Sequence, residues 1–455
     1  MNNSIHMDKS IHTNQSTQTE DIRTIAEKTG RALLEAGTQK AQYTVTETQT
    51  HEFNVDGGEF SLFRTLFDHR LSITAYKNQK KGSASTNQFD DVAIEAAVRD
   101  CIKSAESGVA DEAYDIAPAQ ENETFRDGAY EPDIDLFFER TRELMQDIRE
   151  RHPKILMEQM IVSHDQTHTL YRNTNGTEFE TFQGAYAVSL MYSAHEGDKA
   201  TSFFGSDLYT DRLDRPFIEL GSLEKDLADT EAQLSTVPVE GKFQGVILLT
   251  PGSLPGFLGN IIGNFASDGV ILDKTSIWLD KVGQSVADSR ITLSLRPGDS
   301  RIVCGERFTH DGFRSKDYDF LKDGVLKSFC LSLYVANKSG FAPAGNSSSA
   351  MVVEGGDTPY ADMVKSIKKG LIVGRFSGGN PSINGDFSGV AKNSFLVEDG
   401  EVKGAVSETM ISGNLAELLN NLVAISRETV ENGSCVLPYM AFDKVVISGK
   451  ENEPQ

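Results

Sequence analysis

The sequence predicts an α+β chain in two parts, an N-terminal mixed sheet with flanking helices and a β-rich C-terminal domain with few helices. Three observations carry this expectation. Helical and strand periodicities succeed one another irregularly through the first half. The second half is mostly short alternating segments broken by turn dipeptides. The length, 455 residues, exceeds what one hydrophobic core usually organises. The division is expected at 238/239, where Val237-Pro238-Val239-Glu240-Gly241 separates a polar, helical segment over 226–242 from the apolar run Gly245-Val246-Ile247-Leu248-Leu249. The domains are then 19–238 and 239–455. Residues 1–18, rich in Ser, Thr, Asn and His and lacking an apolar run, are expected to be a disordered leader and no signal peptide.

In chain order, Ile22, Ile25, Ala26 and Leu33 predict a helix over 20–35, and Tyr43-Thr44-Val45-Thr46 begins a strand after Gly37. Aromatic and β-branched residues continue the strand pattern over 60–76, with Lys80-Lys81-Gly82 read as the turn into another short strand. Ala93, Ala97, Cys101 and Ala105 form an i+4 row on a helix over 91–107, which makes Cys101 a core thiol. Pro132 precedes an amphipathic helix over 133–149, whose stripe is Ile134, Phe137, Phe138, Thr141, Leu144, Met145 and Ile148.

Strands follow at 161–163 and 167–174, and Asn175-Gly176 suits a type I′ hairpin into the alternating Tyr186, Val188, Leu190 and Tyr192. Asp323-Gly324 and Asp399-Gly400 predict two further hairpins. A helix over 415–425 is expected to present Leu415, Leu418, Leu419, Leu422 and Val423, with Asn414 and Glu417 spaced as a capping box.

A net charge of −23 makes a polyanion an unfavourable partner, so nucleic acid is excluded on composition. No apolar run reaches the roughly 20 residues that span a bilayer, and the four widely spaced cysteines form no CxxC pair, so the expectation is a cytoplasmic protein with buried thiols. His51-Glu52 and His195-Glu196 lack the second histidine of a zinc helix. His164 and His168 are four apart, but their flanks read as extended. Gly252-Ser253 and the Ser347–Ser349 run, expected to be a flexible loop, lack the Gly-x-Ser-x-Gly of a nucleophile elbow. Gly374–Asn380 has no phosphate-binding spacing and reads as a tight loop, with Asp386 as a turn residue.

Three longer segments stand apart: Gly378-Gly379-Asn380-Pro381-Ser382-Ile383-Asn384-Gly385-Asp386-Phe387-Ser388, Phe395–Glu401, and Glu408-Thr409-Met410-Ile411-Ser412-Gly413-Asn414-Leu415. Together they resemble the C-terminal signature of the TldD/PmbA (modulator of DNA gyrase) family. Lys81–Thr86, Asn173–Gly176 and Asp319–Leu326 are similar to the family elsewhere, so the resemblance spans nearly the whole chain after the leader. In the catalytic branch a helix carries His-Glu-x-x-x-His and a C-terminal Cys completes a zinc site. The resemblance places Asn260 at the first His, Ile261 at the Glu, Phe265 at the second His and Asn432 at the Cys. None of these replaces a zinc ligand or a water-activating carboxylate.

The resemblance therefore implies a PmbA/TldE-like subunit with no cofactor of its own. Zn²⁺ would sit in a TldD-like partner, in a heterodimer or larger assembly, and the substrate would be unfolded peptide, held as an added strand. Gly378, Gly379, Asn380, Gly385, Asp386, Phe387, Ser388, Gly413 and Asn414 are the candidate peptide or partner contacts. Gly259 and Gly263, four apart, either admit a foreign backbone or serve internal packing. The alternatives are an autonomous metallopeptidase using His164, His168, His195 and His310, and a peptide-binding homo-oligomer, in the simplest case a homodimer.

Overall fold

Two sheets organise the chain, and a computed structural model describes them over residues 21–407 and 409–449. The expected leader and Glu408 lie outside the described residues. The first sheet contains β1 (Lys40–Asp56), β2 (Glu59–Lys77), β3 (Lys80–Thr86), β4 (Glu123–Gly128), β5 (Ile155–Asn173), β6 (Glu178–Glu196), β7 (Lys199–Ala200) and β8 (Phe204–Thr210). Its order is β3-β2-β1-β5-β6-β4, with β4 parallel to β6 and β8 continuing along the same edge of β6. Helices α1 (Ile22–Glu35), α2 (Asp91–Ser107), α3 (Ile134–Arg151) and α4 (Leu223–Ala232) complete this half.

Strand alternation sends odd-numbered residues of β1 to one face. Tyr43 and Val45 pack there under α1 and α2 with Leu71, Ile73 and Leu170. Phe53 and Val55 pack under α3 and α4 with Val162, Tyr186 and Val188. Phe137 of α3 is fully buried at the centre of the second cluster, its ring 4.9 Å from those of Phe53 and Tyr186. The opposite face carries no helix of either cluster; Tyr171 and Phe179 pack there on Phe308, and polar pairs line the stretch beyond them. Thr46 meets Thr169 and Thr48 meets Thr167, each at 3.3 Å, and Thr50 donates to Asp165.

The second sheet contains β9 (Thr236–Val237), β10 (Lys242–Leu249), β11 (Leu293–Leu295), β12 (Tyr318–Lys322), β13 (Val325–Leu326), β14 (Met351–Val352), β15 (Lys369–Val373), β16 (Arg375–Gly378), β17 (Asp386–Lys392), β18 (Ser394–Glu398), β19 (Glu401–Val406), β20 (Thr409–Asn414), β21 (Leu422–Glu431) and β22 (Val436–Ser448). Its helices are α5 (Leu254–Phe265), α6 (Asp268–Leu272), α7 (Leu333–Ser339), α8 (Tyr360–Ser366) and α9 (Leu415–Asn420). β22 is the hub, bonded to β10, β14, β20 and β21. β9, on the N-terminal side of the expected division, pairs with β19 in this sheet.

The α+β class stands, and several elements differ locally from the sequence reading. The 161–163 and 167–174 strands are one strand, β5, because His164, Asp165 and Gln166 remain in the ladder with β1 and β6. The turn before β3 is Asn78-Gln79, at φ 53° and 60°, and Lys80-Lys81-Gly82 already belongs to the strand. At Asn175-Gly176 only Gly176 has positive φ (95°), and Asn173 NH bonds Thr177 O around a three-residue loop in place of a type I′ turn. Asp323-Gly324 and Asp399-Gly400 do have positive φ at both positions, as type I′ requires.

The expected 415–425 helix stops at Asn420, and Leu422 and Val423 begin β21, where pairing with β22 overrides the helical spacing. Arg375–Gly378, read as part of a tight loop, is β16, and Asp386 opens β17. The segment around 226–242 is helical only to Ala232, its helix beginning earlier, at Leu223.

The halves meet along a seam of ion pairs and aromatic contacts, with the Phe308 ring on Tyr171 and Phe179. Arg307 forks onto Asp127 (Nε to Oδ2 2.7 Å), Arg314 onto Glu123, and Gln42 donates to His310 O at 3.0 Å. Gly433 (φ 84°) lets the β21–β22 turn lie on β8, since a Cβ there would stand 2.2 Å from Tyr209 O. Replacing Phe137 with Ala is expected to cost about 3–5 kcal/mol in urea unfolding, as for other large aromatic cavities.

Candidate functional site

The site is built around α5. Leu254, Phe257, Leu258, Ile261 and Phe265 form its buried face. Phe257 meets Phe376 and Phe387 at 5.2 and 5.5 Å, and Phe265 lies 4.7 Å from Trp278. Pro255, in the first turn, suits a position whose N–H would have no helical partner. This packing fixes which positions can meet a ligand. Pro255, Gly259 and Ile262 line cavities, whereas Ile261 and Phe265 are 1% and 0% exposed.

Two cavities of about 400 Å³ each flank the helix and share Ser349 and Met351 in their walls. The first is lined by Gly259, Ile262, Asp268, His310, Asp311 and Cys330, among others. Its carboxylates are engaged at the start of α7, with Asp268 accepting from Ser332 NH at 2.9 Å and Asp311 from Leu333 NH at 2.7 Å. Ser347, read as part of a flexible loop, is held through its NH and Oγ to Glu306.

The second cavity lies at the seam and is lined by Asp207, Ser222, Asp226, Asn432, Ser434 and Cys435, among others. Asp226 opens slightly to the cavity and is otherwise enclosed. Ser222 Oγ donates to it at 2.8 Å, and Ser206 Oγ does so more weakly at 3.4 Å. Burial outweighs these bonds and pushes its carboxyl up to about 7.

Asn432 shapes the β21–β22 turn, its Oδ1 accepting from Ser434 NH, Ser434 Oγ and Cys435 NH at 2.8–3.0 Å. Asn260 is partly exposed. The spacing-derived candidates His164 and His168 lie on β5, where four residues span roughly 13 Å. His164 Nε2 pairs with Ala129 O at 2.7 Å and His168 with Glu180 at 2.9 Å, so one ion cannot join them. His195 contacts Ser193, away from His310 in the first cavity. Burial raises the thiols of Cys101, Cys304, Cys330 and Cys435, although Cys304 and Cys330 are only partly buried.

The signature residues form a frame at the C-terminal end of α5. Asn414 caps α9 through Ala416 NH and Glu417 NH while its Nδ2 donates to Asp386 and Asn384 O, both at 2.9 Å. Gly385 (φ 92°) is buried, and a Cβ there would lie 2.6 Å from the Phe265 ring. Phe387 is core, Gly413 packs on its ring, and Gly378 has no room for a Cβ beside Phe376. Gly378, Gly379, Asn380, Asp386 and Ser388 are the exposed members. A Cβ at Gly259 or Gly263 would meet nothing within 4 Å, so neither glycine serves close packing within this chain.

Zinc does not fit the donor set at the motif positions. Asn260, Ile261, Phe265 and Asn432 offer neither imidazole, thiolate nor carboxylate, and two of them face the core. Among the described residues no three His, Cys, Asp or Glu side chains group so as to hold a metal ion. Sequence reasoning missed Asp226, Asp268 and Asp311, acidic residues without a local motif; only the fold brings them to the cavities.

Comparison with known proteins agrees with this architecture. Residues 243–449 match the PmbA/TldA metallopeptidase C-terminal domain and residues 44–108 match PmbA/TldA metallopeptidase domain 1, together more than half of the chain. The chain is 26% identical to the metalloprotease PmbA of Escherichia coli O157:H7, over 93% of this chain and 97% of that protein. TldE from Thermococcus kodakarensis has the same fold, with a TM-score of 0.82 at 20% identity over 93% of this chain and all of that one. So does a protein from Bacteroides thetaiotaomicron described as a modulator of DNA gyrase, with a TM-score of 0.82 at 22% identity over 95% of this chain and all of that one. Fold and matched domains define a protein of metallopeptidase type. The chain belongs to the TldD/PmbA family.

Gly385→Ala is expected to lower unfolding stability by roughly 2–4 kcal/mol, through the clash with Phe265 and the left-handed φ, whereas Gly379→Ala changes it by less than about 0.5 kcal/mol. Asp226 gives a pH signature. Below about pH 4 both folded and unfolded chains hold its proton; between about 4 and 7 only the folded chain does, so its contribution to stability falls as pH rises. Asp226→Asn is therefore expected to stabilise the protein by more than about 1 kcal/mol at pH 8 and to have little effect at pH 4 in paired denaturation curves.

Proposed function

We propose that this chain is the non-catalytic, TldE-like subunit of a TldD/TldE-type metallopeptidase that processes or degrades unfolded peptides in the cytoplasm. The observation that carries the reading is α5. At the place where catalytic members of the family are expected to present His-Glu-x-x-x-His, this helix offers Asn260, Ile261 and Phe265, two of them sealed in the core. A frame one residue earlier puts Gly259, Asn260 and Asn264 at the same positions, all at least partly exposed. That frame suits a ligand-bearing face better and still supplies no ligand for zinc.

In this reading the partner holds Zn²⁺ and the water-activating carboxylate, and this chain contributes walls and peptide contacts. Support comes from the two cavities flanking α5, the second of them lined by Asp207, Ser222 and Asn432. No described helix is long and apolar enough to cross a membrane.

The test is co-expression with the most similar paralogue carrying His-Glu-x-x-x-His, followed by cleavage of an unstructured peptide by each chain alone and by the mixture. Hydrolysis is expected only when both are present. Cleavage by this chain alone, abolished by a chelator, would instead favour an autonomous peptidase.

A further inference from the structure

The seam cavity carries negative charge without a counter-charge. Asp207 and Asp226 line it, and no Lys, Arg or His joins them among the described residues. Lys225, the cation next to Asp226 in sequence, is held by Asp229 at 2.6 Å. Asp207 accepts from Ser189 Oγ at 2.7 Å. Asp226 is less well satisfied, because Ser222 Oγ and Ser206 Oγ both donate to Oδ2, and Oδ1 accepts no hydrogen bond among the described residues. An enclosed carboxylate oxygen without a donor is unfavourable once ionised, and a ligand that brings donors and positive charge relieves it. β8 adds acceptors to the same cavity. Its edge away from β6 is bonded to no other strand among the described residues, and there Tyr209 NH bonds Asn432 O at 2.8 Å. Strand alternation turns the carbonyls of Gly205 and Asp207 to that side, and both residues line the cavity.

We propose that this cavity is a binding site for a primary ammonium group, the free amino terminus or a lysine side chain of a peptide. Ammonium carries three donors on one atom, which suits a single unpaired Asp226 oxygen beside the β8 carbonyls. A guanidinium fork takes both oxygens of one carboxylate, and Oδ2 is already engaged. A metal ion would need more ligands, and no three His, Cys, Asp or Glu side chains group so as to hold one among the described residues. The cavity, about 400 Å³, has room for a side chain or a chain end and none for a folded domain. Ionised Asp226 is the binding form, so affinity rises as pH passes 7, the value to which enclosure pushes its carboxyl. The other charged or titratable groups around it are Lys225 and Asp229 on α4, Asp207 on β8, Tyr192 on β6, Cys435 in the β21–β22 turn and Tyr439 on β22. The inference rests on the reading above for its ligand class, peptide, and needs neither zinc nor the partner.

The test is calorimetric titration of the full-length chain, without partner, with three Gly/Ser-rich peptides. One has a free amino terminus and no Lys, one is acetylated and carries a single Lys, and one is acetylated without Lys. Near pH 7.5 at least one of the two amines is expected to bind about tenfold or more tighter than the fully blocked peptide. Asp226→Asn, shown to be folded by circular dichroism, is expected to bind all three as weakly as wild type binds the blocked one. Affinity is expected to fall about fivefold or more on going to pH 6. Binding that persists to about pH 10 assigns the lysine side chain, and binding that declines above about pH 8 assigns the amino terminus. Equal affinity for the three peptides, no binding of either amine at millimolar concentration, or unchanged affinity in folded Asp226→Asn would overturn the proposal. Failure of the cleavage test with amine binding intact would remove the subunit reading and leave this site standing.

Discussion

The burial of one face of α5 decides what the second half of the molecule can do. Leu254, Phe257, Leu258, Ile261 and Phe265 anchor the helix in the main core, and Trp278, Phe376 and Phe387 close around it. A helix pinned along that stripe cannot turn another face to solvent without opening the core of the sheet. The positions that meet the cavities are consequently Pro255, Gly259 and Ile262, which bring neither charge nor nucleophile. The signature loop serves the same packing. Gly385 lies against Phe265 because nothing larger than hydrogen fits, and Asn414, Asp386 and Asn384 tie that loop to the start of α9. Much of what looks like a functional signature is thus the frame that holds α5 in place.

The seam between the sheets has a different character. It combines paired charges, close backbone contacts and aromatic packing, such as Arg307 on Asp127, Arg314 on Glu123, Gly433 on Tyr209 and Phe308 on Tyr171 and Phe179. Forked arginine–carboxylate pairs orient their partners more sharply than apolar contacts do, and that suits two units whose relative placement shapes a cavity. Asp226 sits beside this seam with its proton affinity raised by enclosure.

The sequence was legible where one physical signal dominated. The stripe of α3, the alternation of Tyr186 to Tyr192 and the Asp-Gly turns at 323 and 399 appear in the structure much as their spacing predicts. It was illegible where tertiary pairing overruled local pattern. Leu422 and Val423 continue a helical stripe in sequence, yet β22 claims them as strand. His164, Asp165 and Gln166 interrupt an apolar pattern, yet stay in β5, because β1 and β6 supply the backbone bonds on both sides and the buried His164 pairs with Ala129 O. The motif frame on α5 was ambiguous by one residue for a similar reason, since spacing alone does not say which face a helix buries. The cavities were out of reach altogether, being assembled from Asp226, Asp268, Asp311 and Asn432, far apart in the chain.

The central claim is that this fold has kept the architecture of a zinc peptidase while its helix has lost the ligands. The most direct measurement is elemental analysis of the full-length protein, purified alone without chelator and then dialysed against excess zinc. The account predicts no stoichiometric zinc in either sample. One zinc per chain, retained through dialysis into metal-free buffer, would contradict it.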